Sequence, residues 1–247
     1  MKARKQISFL IIMIFLTLNY SICVPDVSAT FPSFPSSSDQ FIGEIFPNCT
    51  LPLGLSHSNT IITVNATKSL KNVGITFDAN YTIYNPENTT TITVIVPFSL
   101  AVDKLTFEVY ADNTHIDYDL FNASPWNENI TEINIYYLPG PFDKYPITLI
   151  KSNVTLLKND TSVIRYHFSG LMSNPLDSRD VFFIAYFLGS SLEWIGNTTG
   201  KIELIAYGKQ PVFTYSVVDN IPPQLIVIDG GQSFICEWND IEIQILK

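Results

Sequence analysis

Between Phe77 and Phe98 the chain reads F-D-A-N-Y-T-I-Y-N-P-E-N-T-T-T-I-T-V-I-V-P-F, and this stretch limits the fold more than any other. Phe77, Ala79, Tyr81 and Ile83 alternate with Asp78, Asn80, Thr82 and Tyr84, the period of a strand with one buried face. After Asn85-Pro86-Glu87-Asn88 the alternation resumes, with Ile92, Val94, Val96 and Phe98 on one parity. Asn-Pro favours a turn, because proline presets φ and pushes the residue before it towards extended conformations. Two such runs about a short turn predict an antiparallel hairpin.

The rest of the chain repeats the pattern. Windows rich in Val, Ile, Thr, Tyr and Phe fall at 60–66, 73–84, 90–98, 103–110, 114–121, 132–138, 147–157, 161–168, 181–188, 201–207, 212–218, 224–229 and 240–246. Asn-Pro, Pro-Gly-Pro at 139–141, Ser-Asn-Pro at 173–175, Pro-Pro at 222–223 and Gly-Gly at 230–231 separate them. Helical periodicity is absent, except that Ser124 and Pro125 suit the start of one short helix. Val181–Leu188 lacks alternation and reads as a strand covered on both faces. The expected fold is all-β, a large antiparallel β-sandwich. The alternative is two tandem immunoglobulin-like sandwiches divided near 139–146, although the Cys…Trp…Cys spacing of immunoglobulin domains is missing.

The N-terminus supplies an address. Met-Lys-Ala-Arg-Lys precedes Ile7–Leu18, a dozen mostly apolar residues, and Val27-Ser28-Ala29 offers a cleavage site. This order predicts a signal peptide over 1–29, a Pro/Ser-rich flexible lead-in over 30–40 and a β-sandwich over 41–247. The location expected is extracellular or at the cell surface. Membrane attachment follows only if the apolar segment stays uncleaved, and at about 18 residues it sits at the lower edge of what spans a bilayer.

Losing residues 1–29 removes three of 14 basic and one of 23 acidic side chains, leaving 11 against 22. Nucleic-acid affinity rests on Lys and Arg, so so acidic a chain is no nucleic-acid binder. Cys49 and Cys236 then remain, an even pair that in an exported chain suggests one disulfide between the ends of the fold. Two buried free thiols are the alternative.

Beyond Ala29, nine Asn-X-Ser/Thr acceptor patterns occur, at Asn48, Asn65, Asn80, Asn88, Asn122, Asn129, Asn153, Asn159 and Asn197. From 19 Asn and 42 Ser plus Thr in random order roughly three are expected, so the excess points to N-glycosylation, whose acceptors mark exposed sites. Threonine-rich outer faces with Asn-rich turns account for part of it. Sugars along strand edges would also deter edge-to-edge aggregation.

Chemistry is harder to find. His115, Asp117 and Asp119 would share one face of a single strand and form a weak candidate cation row, weighed against plain outward polarity opposite Ile116, Tyr118 and Leu120. Glu237, Asp240 and Glu242 read as a solvated strand face. Trp126, Trp194 and Trp238 offer either a sugar-stacking platform or core and rim residues. Nucleophile-elbow, zinc-peptidase, phosphate-loop and Cys-x-x-Cys motifs are absent, and nothing calls for a cofactor. The expectation is a glycosylated surface or secreted sandwich without catalytic activity, with a structural or recognition role towards a protein or glycan. An extracellular carbohydrate-binding or carbohydrate-cleaving module is the alternative.

Overall fold

The computed structural model describes residues 10–17, 41–47, 51–68, 72–99, 102–123, 147–173, 183–188, 194–196, 198–208, 212–214 and 224–241. The strand window at 132–138, the short helix near Ser124, the lead-in over 30–40 and the segment 139–146 lie outside these residues. Among the described residues every regular element is a strand. Sheet I takes β1 (Leu10–Thr17), β2 (Phe41–Gly43), β3 (Phe46–Pro47), β6 (Thr90–Ser99), β9 (Tyr118–Ala123), β10 (Ile147–Leu156), β12 (Phe183–Leu188) and β14 (Val212–Thr214). Sheet II takes β4 (Gly54–Asn65), β5 (Asn72–Asn85), β7 (Val102–Ala111), β8 (Thr114–His115), β11 (Asp160–Ser173), β13 (Thr198–Tyr207), β15 (Gln224–Ile228) and β16 (Gly231–Ile241).

Sheet I runs β14-β1-β12-β2-β6-β10-β9, with β3 also on β6; sheet II runs β15-β16-β13-β4-β5-β11-β7-β8. Pairing is antiparallel except at β12–β2 and β13–β4. The apolar segment Leu10–Thr17, expected to belong to a signal peptide, is laid between β12 and β14 in the full chain. Strands from either side of 139–146 interleave in both sheets, since β10 pairs with β6 and β9, and β11 with β5 and β7. One sandwich results.

The hairpin expected between 77 and 98 is not formed. β5 pairs with β4 and β11 in sheet II, whereas β6 pairs with β10, β2 and β3 in sheet I. The turn at Pro86–Thr89 is therefore an arch that carries the chain from one sheet to the other. Alternation explains why: Phe77, Ala79, Tyr81 and Ile83 on one side and Ile92, Val94, Val96 and Phe98 on the other are all buried. Facing across the sandwich, both apolar stripes enter one core, which a hairpin in a single sheet also permits but only if a third element covers it. A second arch, β10 to β11, lies against the first, and Asn159 takes the left-handed conformation (φ 53°) at its turn. The core between the arches holds Phe77 stacked on Phe168 at 4.9 Å, with Phe98 of sheet I 5.3 Å from Phe107 and 6.0 Å from Phe168. Offset aromatic pairs of this kind contribute about 0.5–1.5 kcal/mol beyond their buried area.

Asn85, the last residue of β5, is fully buried and fixes the first arch. Its amide nitrogen donates to the carbonyls of Asn88 (3.0 Å) and Leu156 (3.2 Å), and its oxygen accepts from the Glu87 amide (3.0 Å). Its own carbonyl accepts from the Asn159 amide at 2.7 Å, which ties the two arches together.

The last strand also departs from expectation. Gly230-Gly231 separates two strands as the composition suggests, but β16 begins at Gly231 itself and runs to Ile241, and the rest of the strand expected at 240–246 lies outside the described residues. Gly230 supplies the positive φ (72°) of the turn, while a Cβ on Gly231 would lie 2.2 Å from the Ala206 carbonyl oxygen. The second glycine is thus there for close approach to β13. Phe234, Cys236 and Trp238 alternate into the core, and Trp238 lies across Gly200, where a Cβ would meet the indole at 2.2 Å.

Candidate functional site

The acceptor asparagines come first, because they are the strongest signal in the sequence. Asn65, Asn88, Asn153 and Asn159 are exposed, and Asn80 is half-buried on the outer face of β5. Asn122 lies on β9, while Asn48, Asn129 and Asn197 fall outside the described residues. Asn88 and Asn159 sit on the turns of the two arches, at one end of the sandwich, where Asn88 Oδ1 lies 3.5 Å from Lys158 Nζ. At Asn65 the side-chain oxygen accepts from both the amide (3.1 Å) and the hydroxyl (2.7 Å) of Thr67, an Asx turn built from the two recognition residues of its own acceptor pattern. On β10, Asn153 accepts from Thr93 Oγ1 at 2.7 Å across the outer face of sheet I.

Strand pairing assembles a polar row that the sequence alone does not reveal. Register places Asp78 of β5, His167 of β11 and Glu108 of β7 in line, with Asn80, Arg165 and Tyr110 in the next row. Arg165 grips Asp78 bidentately, through Nε to Oδ1 at 3.0 Å and through Nη2 to Oδ2, and His167 Nδ1 lies 3.4 Å from the same carboxylate. Tyr110 donates to Glu108 at 3.1 Å, and that bond raises the phenol's pKa above its ordinary value. These groups lie on an outer face where water screens them, so the ion pair contributes little to stability.

The cation row expected at His115, Asp117 and Asp119 is not assembled. His115 ends β8 in sheet II, whereas Asp119 belongs to β9 in sheet I, so the chain changes sheets between them instead of running as one strand. The short β8 follows from a tight hairpin with β7, in which Asp112 and Asn113 both adopt positive φ (48° and 65°). Ile116 and Tyr118 then turn inward against the core, while Leu120 is exposed instead of facing it. Among the described residues no group of three His, Cys, Asp or Glu side chains is placed to hold a metal ion. Glu237 is exposed on β16; the side chains of Asp240 and Glu242 lie outside what is described.

The tryptophans and cysteines are core residues where they are described. Trp194 is buried and donates from Nε1 to the Ile45 carbonyl at 3.2 Å, and Trp238 is buried against Gly200, so neither offers a ring for sugar stacking. Trp126 lies outside the described residues. The expected disulfide is not formed: Cys236 is a free thiol inside the core cluster, paired in register with Ile202, and Cys49 lies outside the described residues. Burial pushes the Cys236 thiol up to about 11, with Glu237 adding to the effect. An alkylating reagent at about pH 8 is therefore expected to spare Cys236 in the folded protein and to modify it once denaturant is added, because thiolate is the reactive form. Mass spectrometry of the labelled peptide checks this, and rapid labelling without denaturant would contradict it.

One polar cluster is enclosed between the sheets. Tyr186 of β12 shares a hydrogen bond of 3.0 Å with Thr60 of β4, and its hydroxyl lies 3.3 Å from that of Tyr81 on β5. Glu44, between β2 and β3, is buried nearby. Burial holds both phenols above their ordinary pKa; Tyr186 raises Tyr81 further, the hydrogen bond with Tyr81 partly offsets the rise at Tyr186, and Glu44 raises both. Tyr166 is likewise raised by burial. Closed to solvent, the cluster ties sheet I to sheet II.

No protein-family model and no curated protein matches the sequence. Among solved structures, a candidate nutrient-binding protein from Legionella pneumophila superposes with a TM-score of 0.57 at 11% identity, over 82% of this chain and 68% of that one. That likeness concerns the fold alone. An M1 zinc metallopeptidase from Deinococcus radiodurans (TM-score 0.36, 10% identity, 75% of this chain and 39% of that one) is too distant to carry an argument. The same holds for a candidate protease from Parabacteroides distasonis (0.36, 10%, 79% and 37%).

Proposed function

We propose that this chain is an exported, N-glycosylated β-sandwich of the cell surface or extracellular medium, with a structural or recognition role and no catalytic activity. The observation that carries the reading is the placement of the acceptors. Every acceptor asparagine whose side chain is described points outward, although the sandwich buries roughly alternate residues. The core position Asn85, by contrast, is not followed by an acceptor pattern. Recognition would use strand edges and loops that sugars leave open, towards a protein or glycan partner. The carbohydrate-module alternative is disfavoured by the burial of Trp194 and Trp238.

Export with cleavage after Ala29 would withdraw β1 from between β12 and β14. Peptide mapping of protein recovered from its native source tests the whole reading. The mature chain is expected to begin at Thr30, with glycan at Asn88 and at several other acceptors. Unmodified asparagine at all nine positions would overturn the glycoprotein reading, and recovery of Met1 would overturn cleavage.

A further inference from the structure

Asn80-Tyr81-Thr82 differs from the other acceptor patterns in how its backbone is held. It lies inside β5, and all three residues are paired on both sides, opposite Asn59, Ser58 and His57 of β4 and Arg165, Ile164 and Val163 of β11. Among the described residues no other acceptor pattern is enclosed in this way. Asn153-Val154-Thr155 pairs with β6 alone, since β9 ends opposite Ser152. Asn65 ends β4, with Ala66 half-buried and Thr67 exposed beyond it. Asn88 and Thr89 are exposed on the first arch, ahead of β6.

The middle residue adds a second constraint. Asn80 and Thr82 face outward, but Tyr81 is fully buried between the sheets. Its hydroxyl lies 3.3 Å from that of Tyr186 in sheet I, and its ring meets that of Tyr166 edge-on at 6.3 Å. An enzyme that glycosylates asparagine must take the acceptor and the Ser or Thr two residues on into one cleft, backbone included. Drawing Asn80–Thr82 out of sheet II breaks the ladder to both neighbours and pulls Tyr81 from the core. Openings of that size belong to global unfolding, whereas strand ends and turns open at little cost.

From this we infer that Asn80 receives its sugar before β5 is enclosed, whereas Asn65 and Asn88 also accept sugar on the folded protein. The inference rests on the glycoprotein reading above and adds an order of events to it. The donor is an oligosaccharide activated by phosphate. Transfer joins Asn80 Nδ2 to its anomeric carbon and breaks the bond from that carbon to the phosphate oxygen. The phosphate leaves with the electron pair, and the amide gives one proton to a base of the transferase. β11 sets the time limit. Arg165 follows Asn80 by about 85 residues, which at roughly 5–20 residues per second take on the order of 4–17 s to synthesise. Until then one side of β5 stays open. Afterwards the state of Asn80 is fixed.

The test compares the folded full chain, made without sugar, with the same chain carrying Tyr166→Asp and Phe168→Asp. Both side chains are buried in β11, so two charges there unfold the variant, and loss of the strand signal in circular dichroism verifies it. Each chain is incubated with solubilised membranes of the native source and their lipid-phosphate-linked oligosaccharide, and mass spectrometry of the acceptor peptides gives the rates. Asn80 is expected to be modified at least about a hundredfold more slowly in the folded wild type than in the variant, with Asn65 and Asn88 within about tenfold. Similar rates at Asn80 in both chains overturn the inference. So does an Asn80 bare in both while Asn65 and Asn88 take sugar. Refusal of sugar by Asn65 and Asn88 on the folded chain overturns it too, because access would then not follow strand pairing. Sugar at no acceptor of the unfolded variant removes the glycoprotein reading along with it, whereas each of the other failures leaves that reading standing.

Discussion

Replacing Asn85 by alanine is expected to lower the stability of the fold by about 3 kcal/mol, the loss of several satisfied groups at one buried position. The amide is fully buried and makes three hydrogen bonds, to Asn88, Leu156 and Glu87. Removing it strands the Leu156 carbonyl, which sits inside the sandwich, and frees the turn that leads β5 into β6. For a domain of this size the midpoint should fall by roughly 10 °C. Asn85→Asp is expected to be no better, because the carboxylate keeps the bond from Glu87 but loses both donors and buries a charge. Calorimetry or denaturant titration of both variants provides the check. A loss below about 1 kcal/mol would mean that the arch is held by its apolar stripes alone. The same residue positions Asn88 and Asn159, so a loosened arch should also expose both acceptor turns to proteolysis.

Asn85 shows where the sequence was readable and where it was not. Its Asn-Pro context marks a turn, and the alternation on both sides marks two half-buried strands; both hold in the structure. What alternation omits is the identity of the neighbouring strand. A hairpin and an arch have the same local pattern, and only the partners, β11 for one arm and β10 for the other, distinguish them. These partners lie across a long separation in sequence, and so does the Asp78–Arg165–His167 group, whose members have nothing near them in the chain to announce them. The row at His115, Asp117 and Asp119 failed for the converse reason. Its spacing was local, but the strand it presumed breaks at the sheet crossing after the Asp112-Asn113 turn. The alternation of Phe234, Cys236 and Trp238 was legible and was masked by reading Gly-Gly as a wider break. An even number of cysteines is a statement about counting, and the burial of Cys236 outweighs it.

Alkaline solution is expected to unfold the protein steeply, and the buried phenols are the cause. Tyr81, Tyr166 and Tyr186 are enclosed, and burial holds each above its ordinary pKa, most of all Tyr81, which the Tyr186 hydroxyl also opposes. Unfolded tyrosine ionises near pH 10, so above that value the unfolded chain loses protons that the folded chain keeps. A raised folded pKa contributes stability that is fully present below the unfolded value and is lost as pH rises through the folded one. Three such groups give a slope of about 4 kcal/mol per pH unit above pH 10, at roughly 1.4 kcal/mol each. Cys236 begins the decline earlier, since its window opens near the ordinary thiol value and closes at about 11. Against a typical total of about 5–15 kcal/mol, the fold should be lost within one to four pH units of pH 10. Parallel titrations of phenolate absorbance and circular dichroism read this directly. Three of the chain's 12 tyrosines should ionise only as the strand signal disappears, in one cooperative step. Tyr166→Phe should remove about a third of the slope without opening the cluster at Tyr186. Free ionisation of every tyrosine near pH 10 with the strand signal intact would show that water reaches the space between the sheets.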